Sequence, residues 1–177
     1  QIGQVLLQGE EDIWTRRAVR LAVAERVADL LLSTLQQPLP EDLDSHRKTI
    51  LELVDAAGRR ASEQQLKKLL IQLIAQPDQP LQLGSLQALL RSMASRRISP
   101  AKVLGNDTSS LDPVFARANR VAGDSQANLP DRTLAIGLLS YASESPGSLV
   151  GLCQPGQPQA IRLAALNSLA RRAEVAA

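Results

Sequence analysis

One helical pattern is written about five times along this chain, and that repetition limits its fold more than any other feature. It is clearest in Ile161-Arg162-Leu163-Ala164-Ala165-Leu166-Asn167-Ser168-Leu169-Ala170. Ala165, Leu166 and Leu169 fall at the i, i+1, i+4 spacing that lines one side of a helix, so the pattern predicts a buried face through these three residues. When Arg162 is matched to Arg132, Gln82, Arg47 and Arg16, the residues four positions on are Arg20, Leu51, Leu86, Ile136 and Leu166, and those seven positions on are Val23, Val54, Leu89, Leu139 and Leu169. All but Arg20 are aliphatic. Two positions on stand Ala18, Thr49, Gly84, Leu134 and Ala164, mostly small side chains that let a neighbouring helix approach closely. Four residues before the matched position lie Asp12, Asp78 and Asn128, whose side chains can accept from the unpaired amides of a first turn; Pro80 and Pro130 follow where a helix tolerates proline.

The matched positions are 31, 35, 50 and 30 residues apart, a period that suits a helix, a turn and a second helix, with an insertion in the longest interval. Second helices show in the apolar stripes Val27, Leu30, Leu31, Leu35 and Leu66, Leu69, Leu70, Leu73, Ile74. A pair of this kind cannot bury its apolar surface alone and must stack on its neighbours. The expected fold is therefore all-α, a right-handed α-α superhelix of about five helix pairs forming one domain over residues 1–177. Residues 99–128, rich in Ser, Pro, Gly and Asn, are expected to be an irregular insertion holding one short helix from Asp112-Pro113 to Val121. A break is expected near Gly58, with a new helix begun by Ser62-Glu63-Gln64-Gln65 in the order of a capping box. The start at Gln1 and the uncapped end at Ala177 read as a piece of a larger protein.

Composition agrees: 44% of residues are hydrophobic but only 2% aromatic, so the core must be built from Leu, Ala, Ile and Val, which favours close-packed helices. Twenty basic against eighteen acidic residues, a net +2, is too small a surplus to argue for nucleic acid by itself. With Trp14, Phe115 and Tyr141 as the only aromatics, there is little to stack on bases. The basic pairs Arg59-Arg60, Lys67-Lys68, Arg96-Arg97 and Arg171-Arg172 are read as solvated helix faces. No run approaches the roughly twenty apolar residues that span a bilayer, so no membrane insertion by this segment is expected.

The sequence carries no phosphate-cradling glycine loop, no H-E-x-x-H or C-x-x-C and no G-x-S-x-G. His46 is the single histidine and Cys153 the single cysteine, neither set at ligand spacing; Asn106, Asp107 and Asp112 lack the spacing of a calcium loop. No catalytic, cofactor or metal residue is therefore assigned. Trp14 is read as packing at a repeat junction. The residues singled out are structural: Arg16, Arg47, Gln82, Arg132 and Arg162 as repeat anchors, the arginines held by carboxylates or helix-end carbonyls between repeats, and Asp12, Asp78 and Asn128 as helix caps.

The two-helix unit, with Asp or Asn, Pro and then Arg before an Ala-Leu face, resembles HEAT repeats of the short kind found in phycobilisome lyases. More narrowly, Asp12-Ile13-Trp14-Thr15-Arg16-Arg17-Ala18-Val19, Leu129-Pro130-Asp131-Arg132 through Ala142, and Gln157-Pro158-Gln159-Ala160-Ile161-Arg162 through Leu166 resemble the helical region of large secreted planctomycete-type proteins described as membrane-bound dehydrogenases. In that family a propeller precedes the helical array and a c-type cytochrome domain follows it. The resemblance implies an exported multidomain parent whose haem lies outside this segment, no haem residue mapping here. It implies a non-catalytic scaffold whose partners are neighbouring domains or another protein. The rival expectation is a HEAT-like DNA-binding module of the DNA glycosylase type, using a basic concave face.

Overall fold

A computed structural model describes residues 26–37, 43–105, 107–142 and 147–176. Asp12, Trp14 and Arg16 lie outside these residues. Among them every regular element is helical: α1 (Val27–Leu35), α2 (Leu43–Arg60), α3 (Glu63–Ile74), α4 (Gln79–Ser95), α5 (Pro100–Leu104), a short 3-10 turn (Ser109–Leu111), α6 (Asp112–Gly123), α7 (Leu129–Leu139), α8 (Gly147–Leu152) and α9 (Gln159–Ala176).

Local chemistry sets the helix ends. The Leu81 amide donates to Asp78 Oδ1 at 2.8 Å, and the Asp131 amide to Asn128 Oδ1 at 2.8 Å, so each side chain satisfies a first-turn donor that the helix leaves open. At α3 the Gln65 amide donates to Ser62 Oγ and the Ser62 amide to Gln65 Oε1, closing the capping box. α4 stops where Arg97 turns left-handed at φ 56°, with the Ile98 amide donating back to the Met93 carbonyl and the Arg97 amide to Ala94. The break expected near Gly58 falls just after it: α2 runs through Gly58 to Arg60, and α3 begins from Ser62. At Gly58 itself neighbouring α4 comes so close that only a hydrogen fits.

The helices form two layers. In one, α2 packs on α4, α4 on α7 and α7 on α9; in the other, α1 packs on α3, α3 on α5 and α6 on α8. Contacts of α1 with α2, α3 with α4, α6 with α7 and α8 with α9 join the layers, and the buried leucines and alanines lie between them. Within residues 99–128, α6 is the short helix expected from Asp112-Pro113 to Val121, and Val114, Phe115, Ala118 and Ala122 bury one of its faces in the core. α5 is a further helix that the composition did not suggest. The Ser/Gly/Asn run is confined to the link around the 3-10 turn, so the composition of that link misrepresented the segments beside it.

Neighbours in the first layer run parallel and in register. A Cβ on Gly84 would stand 3.2 Å from Leu51 and 3.9 Å from Leu134, so α4 is squeezed between α2 and α7 where it has no side chain. Ser168 Oγ donates to the Ile136 carbonyl at 3.0 Å and Arg172 Nη1 to the Leu139 carbonyl at 3.1 Å, stepping forward together along α9 and α7. The sequence pattern names buried residues at Val54, Leu86, Leu89, Ile136 and Leu139, whereas Leu51 is half-buried. It departs most in α9, where among the described side chains Ile161, Ala165 and Ser168 are buried while Leu166 is 54% exposed and Leu169 half-buried. The counterparts Leu86 and Ile136 are fully buried because α4 and α7 have first-layer neighbours on both flanks; among the described helices α9 has α7 on one flank alone.

Candidate functional site

Arg47 is the fifth residue of α2, and Gln82, Arg132 and Arg162 are the fourth residues of α4, α7 and α9. The first three tie successive helices together. Arg47 Nε and Nη2 donate to the two carboxylate oxygens of Asp78 at 3.2 and 2.7 Å, a fork across the α2–α4 boundary onto the residue that caps α4. Those hydrogen bonds, and then the Leu81 amide, hold the Asp78 carboxyl below the usual carboxylate range against burial that pushes it up.

Arg132 is only 4% exposed, and burying a guanidinium demands partners. Its Nε donates to the Ala122 carbonyl at the end of α6 (3.1 Å) and its Nη2 to Gln157 Oε1 just before α9 (3.0 Å). It thus reaches back to the second-layer helix behind it and forward to the start of the next unit. Gln82, shorter and uncharged, manages the backward contact, its Nε2 donating to the Ile74 carbonyl at the end of α3 at 2.5 Å. The guanidinium at that level comes from α6, where Arg117 Nη1 donates to Gln82 Oε1 at 2.7 Å. Sequence comparison missed Arg117 because it sits in the second-layer helix, outside the repeat frame. Arg162 occupies the same position in α9, but its Nε is buried with no hydrogen-bond partner among the described residues.

A second set of rungs joins the C-terminal ends. Arg96 Nη1 donates to the Gly58 and Ala61 carbonyls at 2.8 and 2.9 Å, and Arg172 caps Leu139 in the same way. These two arginines are not solvated side chains, as their pairing with Arg97 and Arg171 suggested; each closes the open carbonyls of the preceding helix. Between the sets, Asp55 on α2 accepts from Arg59 and from Arg91 and Ser92 of α4. At the surface, Lys102 pairs with Glu63, joining α5 to α3.

Where the start of α4 meets the end of α6, Pro77, Gln79, Arg117, Arg120, Val121 and Asp124 line an open cleft of about 600 Å³. Its guanidiniums and single carboxylate leave it mildly cationic. Cys153 is half-buried, with Sγ 3.4 Å from the Leu149 carbonyl, and His46 lies in the first turn of α2. Among the described residues no group of three or more His, Cys, Asp or Glu is placed to hold a metal ion, and no helix is long and apolar enough to cross a membrane. No family model, no curated protein and no solved structure matches this chain.

Proposed function

We propose that the chain is a HEAT-like α-solenoid, a right-handed superhelix of helix pairs, serving as a non-catalytic scaffold segment of a larger exported protein. The observation that carries the reading is the parallel stacking of α2, α4, α7 and α9 in chain order, rung by rung, with the anchor side chains bridging consecutive units. Such an array is a rigid surface made of repeated units, suited to holding neighbouring domains or a protein partner at a set spacing. The tie to a dehydrogenase and cytochrome parent rests on the resemblance of the segments around Asp12, Leu129 and Gln157.

Two measurements test this. Deleting residues 143–177 should leave a shorter helical stack that still unfolds cooperatively, since each unit is buried only against its neighbours. Collapse of the remainder to a non-cooperative state would rule out the array. Titration of the intact chain with haem, zinc or nucleotide should give no stoichiometric tight complex, and one tight complex would reject a purely scaffolding role.

A further inference from the structure

The apolar residues of α1, α2, α3 and α6 keep to one side of each helix, whereas those of α4 and α7 are spread around the axis, as burial on both flanks requires. α9 is spread most evenly of all, with Ile161 and Ala165 on one side and Leu163 and Leu166 on another. In this it is like α4 and α7, which have neighbours on both flanks. Yet Leu163 is 57% and Leu166 54% exposed, and Ala170 is open too. The corresponding residues of α4, Leu83, Leu86 and Leu90, are all buried. Beside this stripe stands Arg162, the one anchor side chain among the described residues whose buried Nε is unpaired.

We infer that the outer face of α9 docks one further helix with a Leu/Ala stripe like that of α4, parallel to α9 and begun by a carboxylate or carboxamide side chain that takes the Arg162 guanidinium. This rests on the stacked reading above and extends it to a partner. Two boundaries within the fold show the chemistry: Arg47 reaches forward to Asp78 at the cap of α4, and Arg132 to Gln157 ahead of α9. Both acceptors bear a side-chain oxygen at the start of the next first-layer helix, and in both cases that helix lays apolar residues along the flank of the one before. An occupant with a Leu/Ala stripe and an acidic or amide start would cover Leu163 and Leu166 and satisfy Arg162 by the same contacts.

The probe is a fluorescently labelled synthetic peptide of residues 77–96, the segment that seats on α2 in this geometry, titrated into the full chain. Saturable binding is expected, weakened about tenfold by Leu166→Asp and about fivefold by Arg162→Ala. The Arg162→Ala effect should vanish when the peptide carries Asp78→Ala, because the two residues would then share one interaction. Absence of binding, binding indifferent to Leu166→Asp, or additive effects of the Arg162 and Asp78 changes would overturn the inference. So would sedimentation showing a dimer that Leu166→Asp returns to monomer, since the occupant would then be a second copy of the chain. Both substitutions lie at the open flank, so unchanged helical content and unfolding temperature would leave the stacked array standing whichever way binding falls.

Discussion

At Gly58 α2 passes close against α4, and Gly58→Ala tests whether that contact governs the stack. A Cβ there would lie 2.6 Å from Ser92 Cβ, 3.1 Å from Ser92 Oγ and 3.3 Å from Leu89 Cδ1. Carbon atoms in contact settle at roughly 3.5–4.0 Å, so the shortfall is about 1 Å. Neither Cβ can rotate away, because each is fixed to its own backbone. The helices must part, and parting draws Arg96 from the Gly58 and Ala61 carbonyls and Ser92 from Asp55. Replacing a mid-helix glycine by alanine is worth about 1 kcal/mol in favour of the variant. Against it stand about 1–3 kcal/mol for overpacking and a further ~1.5–3 kcal/mol where hydrogen bonds from a charged donor are lost. A net loss of about 2 kcal/mol is expected, or about 4–8 °C in unfolding temperature for a chain of this size. Urea and thermal unfolding followed by far-ultraviolet circular dichroism read it directly. In a Ser92→Gly background the obstructing carbon is gone, and Gly58→Ala should then stabilise by about 1 kcal/mol, reversing its sign. Gly151 in α8, around which a Cβ would meet nothing within 4 Å, provides the open-space control: Gly151→Ala should be neutral to slightly stabilising. A Gly58→Ala variant as stable as the parent chain would refute the packing argument.

Asp78→Ala removes both the cap of α4 and the acceptor of Arg47, and should cost about 1–2 kcal/mol in urea unfolding. Because the folded Asp78 pKa is depressed, its contribution is present above the unfolded value of about 4 and is lost as pH falls through the folded pKa. Asp78→Asn should therefore flatten the acid limb of the stability profile while leaving neutral-pH capping largely intact; an unchanged acid limb would remove Asp78 from the account. Arg132→Ala strips partners from the buried Ala122 carbonyl and from half-buried Gln157 and should cost about 3 kcal/mol, with Arg132→Lys recovering little because it lacks the planar fork. Full recovery by lysine would show that charge alone matters there. Arg97→Gly relieves a left-handed residue and should stabilise by about 1 kcal/mol, a gain that calorimetry would detect and that a loss would contradict.

The sequence alone determined most of the longer helices and where several of them start, because those choices are local. Ser62 with Gln65, Asp78 with Pro80, and Asn128 with Pro130 act within one turn, and the apolar spacing of α3 names its buried side without reference to anything distant. Which flank of a helix is covered was decided by its neighbours. Leu86, Ile136 and Leu166 are equivalent in pattern, yet Leu166 alone is exposed, since enclosure depends on what stands beside the helix. The same holds for the arginines: Arg96 and Arg172 look like surface charge in the chain and become caps when the preceding helix brings its last carbonyls within reach. Arg117, unremarked in any pattern, replaces the cation that Gln82 lacks, because α6 passes beside α4 there. The bonds of Arg132 to Gln157, Ser168 to Ile136 and Arg172 to Leu139 need groups 25, 32 and 33 residues apart to meet at about 3 Å, and that meeting is a property of tertiary packing.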